Sequence, residues 1–81
     1  MLRKQHSVIL VKGFKINYSK TTEKEVYMTV DEPNEERKRV FLIEFFRRNL
    51  IAFKVLKNGD FKVYWHNWVT LADLLEEQWE G

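Results

Sequence analysis

The side chains suited to chemistry are few, and their spacing does not assemble them. The chain holds two histidines, His6 and His66, and no cysteine. No His-x-x-x-His or Glu-x-x-His spacing occurs, so metal ligands are present without a pattern that gathers them round one ion. No functional metal and no cofactor are expected. Disulfides, thiol catalysis and cysteine-ligated clusters are excluded outright. Ser7 and Ser19 lack a Gly-x-Ser-x-Gly turn and a neighbouring His–Asp signature. Glu35–Glu36 and Glu76–Glu77 are adjacent pairs on expected helix ends, where neighbours point in different directions and form no carboxylate dyad. The three glycines build no phosphate-binding loop. The reading is a protein that is not an enzyme and takes no small-molecule substrate.

Binding is the remaining chemistry. There are 14 Lys+Arg against 12 Asp+Glu, a net charge of +2, too weak to diagnose nucleic-acid binding. The charge is nevertheless segregated: every basic residue precedes Asp73, and Asp73, Glu76, Glu77 and Glu80 close the chain. Arg37-Lys38-Arg39 forms one basic cluster and Arg47-Arg48 another. Phe53 and Tyr64, with Lys57 and Lys62, are expected on one face of a hairpin, where rings stack on single-stranded bases and lysines neutralise phosphates. These residues together are the nucleic-acid alternative. The leading expectation is a protein interface. Three Trp, three Tyr and six Phe are many for so small an interior, and Trp, Tyr and Arg are common interface anchors. Trp68, in the polar-flanked run His66-Asn67-Trp68-Val69, is the ring expected to stay most accessible. Tyr27, Arg47 and Arg48 are the other expected protein-binding residues.

These residues need elements to position them. Eighty-one residues make one small domain, 1–81, that must rest on a single hydrophobic core. Residues 7–18 read as a strand, with a bulge or bend at Gly13. Ser19–Lys24 reads as a hairpin loop. Residues 25–31 alternate again, with Val26, Met28 and Val30 inward and Tyr27 outward. Residues 32–48 have two readings. Asp31 or Asn34 as a cap, Pro33 in the first turn, acids at the start and Arg47-Arg48 at the end favour a helix. The β-branched and aromatic run Val40–Phe46 favours a strand.

Asn58-Gly59 between Leu50–Leu56 and Phe61–His66 suits a two-residue type I′ turn. That register pairs Leu56 with Phe61 and Phe53 with Tyr64. It puts Ala52, Leu56, Phe61, Val63 and Trp65 on the core face, with Phe53 and Tyr64 on the other. Thr70 with Asp73 resembles a capping box for a last helix, Leu71–Trp79, docked through Leu71, Leu75 and Trp79.

The expected fold is a small α+β domain, an antiparallel sheet of two β-hairpins with two helices in ββαββα order. The alternative is a five-stranded β meander with one C-terminal helix. The basic start Met1-Leu2-Arg3-Lys4 is followed by an apolar run too short for a signal peptide, so the cytoplasm is the default location and no membrane partner is expected. The expected function is a non-catalytic binding module that occupies a protein partner or a second copy of itself as a homodimer. A tiny basic-leaning α+β outline is common among accessory proteins of phages and mobile elements. An inhibitor of a larger host or defence complex is one concrete form of that expectation.

Overall fold

Lys12 and Gly13 decide how the chain starts. Their φ values are 51° and 91°, the two positive angles of a type I′ turn, whose twist matches that of a hairpin. The segment expected as one strand with a bulge is therefore two. β1 (Val8–Val11) folds back on β2 (Phe14–Asn17), with Val11 opposite Phe14 and Val8 opposite Asn17. β3 (Val26–Thr29) pairs antiparallel with β2. Asn17 ties down the loop between them: its carbonyl accepts from the Thr21 amide at 3.0 Å and from the Thr21 hydroxyl at 2.8 Å. The computed structural model describes residues 8–30 and 34–79, so the expectations for Asp31 and Pro33 lie outside the described residues.

Residues 35–48 are a helix, α1 (Glu35–Arg48), and the strand reading of Val40–Phe46 falls. Glu35 and Glu36 occupy its first turn and Arg47 and Arg48 its last, each where the helix dipole favours that charge. Its buried residues are Lys38, Leu42, Phe45 and Phe46, which are helical neighbours along one face. Asn34 stands at the N-cap in left-handed backbone and makes no side-chain cap bond. The other end closes as a Schellman motif: the Ile51 amide donates to the Phe46 carbonyl at 2.8 Å and the Leu50 amide to Arg47 at 3.2 Å. The residue that must take the left-handed position is Leu50, at φ 58°, where glycine is usual.

β4 (Phe53–Val55) and β5 (Phe61–Val63) complete a five-stranded antiparallel sheet in the order β1-β2-β3-β5-β4. Their turn is not the expected two-residue one. Of Asn58 and Gly59, Gly59 alone has positive φ. The Gly59 amide donates to the Leu56 carbonyl at 2.9 Å and the Leu56 amide to Asp60 at 2.8 Å, so the loop runs from Leu56 to Asp60. The register then sets Val55 opposite Phe61 and Phe53 opposite Val63. A one-residue slip turns every side chain of a strand to the other face. Phe53 and Val55 are therefore on the core side, and Ala52, expected inward, is exposed.

α2 (Trp68–Gln78) begins before Thr70. Asn67 is the cap, its side-chain oxygen accepting from the Val69 amide at 2.8 Å. The Thr70 hydroxyl, expected to cap, instead donates to the Asn67 carbonyl and accepts the Trp65 indole N–H, both at 2.9 Å. The β-meander alternative with a single helix is thus excluded, and the order is βββαββα.

Both helices lie on one side of the sheet. Phe14, Ile16, Val26, Phe61 and Val63 are sealed in one cluster with Leu42, Phe45 and Phe46 of α1 and Leu71 and Leu75 of α2. Trp79, just past α2, packs edge-on to Phe14 with ring centres 5.2 Å apart. Two consecutive α1 residues also hold the two tight hairpin turns. Lys38 Nζ donates to the Gly13 carbonyl at 3.1 Å, and Arg39 Nη2 to the Gly59 carbonyl at 2.7 Å. At the far end, Asn49 and Gln78 exchange side-chain amide bonds at 3.2 Å in both directions, fastening the end of α1 to the end of α2.

Candidate functional site

With both helices on one side, no described element covers the other face of the sheet. Period-two alternation dictates what it carries. Val8 and Leu10 point outward from β1, Lys15 and Asn17 from β2, Tyr27 and Thr29 from β3, Lys62 and then Tyr64 from β5, and Lys54 from β4. Their inward neighbours on β2, β3 and β5 are sealed core residues, while Ile9 on β1 and Phe53 on β4 are partly buried and Val55 is exposed. Leu10 is 68% exposed, Val8 42% and Tyr64 44%. One edge of this face is aliphatic and the opposite half is basic and aromatic.

The basic half is organised around Lys62. Its ammonium lies 3.4 Å from the Glu25 carboxylate. It also sits 5.6 Å from the centre of the Tyr64 ring and 6.0 Å from that of Tyr27, within cation–π range. The hydrogen bond to Glu25 holds Lys62 above the usual lysine range, helped by the charge of that carboxylate, while desolvation works against it. Lys54 stands directly across from Lys62 in the register. Like charges facing each other across a strand pair cost stability. The sheet tolerates that opposition on the one face it leaves open.

The structure redistributes the sequence-derived candidates. Phe53 and Tyr64 do not share a face: Phe53 packs at 5.0 Å on Phe46 beneath the sheet, because the longer turn shifts β4 by one residue. Lys57 is exposed in that turn. The cluster Arg37-Lys38-Arg39 is largely committed to the fold. Arg37 lies over Trp79 at 5.4 Å and Arg39 over Phe61 at 5.0 Å. Lys38 is buried at 6% exposure with its ammonium on the Gly13 carbonyl, so it is no free phosphate contact. Of the protein-binding candidates, Tyr27 is on the open face and Arg47 and Arg48 are exposed on the last turn of α1. Trp68 is half-buried rather than freely accessible, edge-on to Tyr18 with ring centres 6.2 Å apart.

The expected surplus of exposed rings is small. Phe14, Phe45, Phe46 and Phe61 are fully enclosed and Trp79 is buried at 8% exposure. Among the described Phe, Tyr and Trp side chains, Tyr64 alone is exposed. The other exposed large apolar groups are aliphatic: Leu10 and Val8 on the face away from the helices, Leu50, 92% exposed at the helix end beside Arg47 and Arg48, and Val40, Val55 and Val69 elsewhere. Leu10 is missed from the sequence because residues 7–18 read as one strand, which assigns Val8–Val11 no face. Lys12-Gly13 between two short apolar runs was the available signal.

Among the described residues no group of three or more His, Asp and Glu side chains is placed to hold a metal ion. No described helix is long and apolar enough to cross a membrane. What fold and surface define is a small α+β domain whose helices cover one sheet face, with no described element over the other. The chain matches no protein-family model, no curated protein and no solved structure.

Proposed function

We propose that this chain is a non-catalytic binding module that docks the open face of its sheet on a partner protein. The observation that supports the reading is the face that no described element covers: Leu10 and Val8 exposed at one edge, Tyr27 and Tyr64 across the middle, and Lys54 opposed to Lys62. Tyrosines and aliphatics that are half-exposed in the free molecule gain most from being covered. Lys62 already has Glu25, but Lys54 opposite it gains a counter-charge if the partner brings carboxylates, so the fitting surface is an apolar patch flanked by acidic side chains. A module that acts by covering such a patch would block whatever else uses it, which is how it would serve as an inhibitor.

The test is capture of partners by wild type and by Leu10→Asp and Tyr64→Ala, with each variant's fold checked by circular dichroism. A protein retained by wild type, lost with both variants and insensitive to nuclease is the expected result. Retention by both folded variants would overturn the reading. Sedimentation of the chain alone shows whether a second copy is the occupant.

A second reading is favoured by the same basic half. Lys15, Lys54 and Lys62 beside two tyrosines on an uncovered sheet suit a single-stranded nucleic acid. Salt separates the two readings. Phosphate binding weakens steeply as salt rises, with a slope set by the phosphates neutralised, whereas a partly apolar protein interface responds weakly. Absence of any shift of a single-stranded oligonucleotide at low salt removes this reading.

A further inference from the structure

The two sides of the molecule carry opposite charge, and each charge is placed at a cost to the free chain. α2 buries Leu71, Ala72 and Leu75. Val69, Asp73, Glu76 and Glu77 are exposed on its other side, at spacings of three and four that put them in one stripe. Asp73 precedes Glu76 by three residues and Glu77 by four, so like charges are helical neighbours, which destabilises a helix. Glu76 and Glu77 also occupy the last turn, where the dipole favours cations and α2 has no basic residue. α1 arranges its ends the other way, with acids first and arginines last. Lys12 brings one positive charge to this end of α2, its ammonium donating to the Glu76 carbonyl at 3.5 Å. On the sheet face away from the helices, Lys54 stands opposite Lys62, and like charges so placed also cost stability. Glu25 serves Lys62 at 3.4 Å, so Lys54 is the charge another molecule would answer.

The apolar and charged groups are spaced alike on the two surfaces. Leu10 on β1 lies three strand spacings, about 14 Å, from Lys62 on β5. Val69 lies about 12 Å along α2 from Glu77. A helix laid across the strands sets Val69 by the aliphatic edge, and Asp73, Glu76 and Glu77 over the tyrosines and lysines. Resting on the reading that this face docks a protein, we propose that its occupant is the outer side of α2 of a second copy. The contact relieves both like-charge placements at once and covers the second face of the sheet. The outer side of α2 points away from the core that α2 shares with the sheet, so the two surfaces lie on opposite sides of one chain. The contact is therefore heterologous: copies join head to tail and continue into a ring or an open array, rather than stopping at a symmetric pair. One helix on one sheet face is a small interface, so the association is weak and salt-sensitive.

The experiment is sedimentation velocity of the full chain across concentration and salt, with two double variants. The face variant is Lys54→Ala with Tyr64→Ala; the helix variant is Asp73→Lys with Glu77→Lys. All four positions are exposed, and lysines suit the end of a helix, so the helix variant should melt no lower than wild type. Wild type is expected to grow past two copies as concentration rises and to dissociate as salt rises. Each variant alone should stay a monomer. Mixed one to one, they should form a species of two chains and no larger, because each supplies the one surface the other lacks. Glu77→Gln alone should weaken association roughly two- to fivefold, the range for an exposed ion pair. Wild type monomeric at every concentration, a wild-type assembly that stops at two, or a mixture that stays monomeric would each overturn the proposal. If the chain is monomeric yet Leu10→Asp loses a captured protein, the inference fails and the face-docking reading stands; if folded Leu10→Asp keeps that protein, both fail.

Discussion

Replacing Gly13 by alanine perturbs two things at once, and the geometry gives each a size. Gly13 sits at φ 91°, where an L-residue is strained by roughly 1–2 kcal/mol. A Cβ there would also lie 3.2 Å from the buried Lys38 ammonium. That contact must open by a few tenths of an ångström, against the 3.1 Å bond that ties the same ammonium to the Gly13 carbonyl. Neighbouring groups coupled in this way add about 0.5–1 kcal/mol. The total is about 2 kcal/mol. For a domain of this size it lowers the thermal midpoint by roughly 8–16 °C.

Thermal and urea melts of wild type, Gly13→Ala, Lys38→Met and the double variant separate the two parts. In the Lys38→Met background the alanine should cost about 0.5–1 kcal/mol less, because methionine has no ammonium to displace. A Gly13→Ala midpoint within about 2 °C of wild type would refute the left-handed turn. An unchanged alanine cost in the methionine background would refute the Lys38 contact.

Leu50→Gly should stabilise the protein. The leucine is 92% exposed, so almost no burial is lost, and relief of its left-handed backbone exceeds the added flexibility of glycine by about 0.5–1 kcal/mol. A lower melting midpoint would mean that Leu50 has packing partners the structure does not show. Phe53→Ala should cost about 2–3 kcal/mol, against less than about 1 kcal/mol for the exposed Tyr64→Ala. The opposite ranking in urea melts would restore the two-residue turn and its register.

The fold class was legible because several local signals agreed with the tertiary outcome. In α1, Glu35 and Glu36, Arg47 and Arg48, and the helical spacing of Leu42, Phe45 and Phe46 all support one element. That agreement overrode the strand preference of Val40 and Ile43. The errors came from turns. Asn58-Gly59 carries the strongest short-range hairpin signal, yet the chain uses Gly59 alone as the left-handed residue. Lys12-Gly13, a weaker signal, forms the two-residue turn. Each error concerns one or two residues, but strand faces alternate with every residue, so each redrew a surface. The first put Phe53 outside, and the second merged β1 and β2 into one strand and so assigned Leu10 and Val8 no face. The open face itself was not legible, because it depends on both helices choosing the same side. That choice follows from long-range packing of α1 and α2 into one cluster.

The neighbouring side chains Lys38 and Arg39 grasp carbonyls at two turns that are remote in sequence. Neither hairpin can therefore peel away while α1 keeps its grip. The amide protons of β1–β2 and of β4–β5 are bound to a common opening event, even though one pair borders each margin of the sheet. A domain without disulfides thus gains what a clasp provides: its outermost strands share the fate of the helix that spans them.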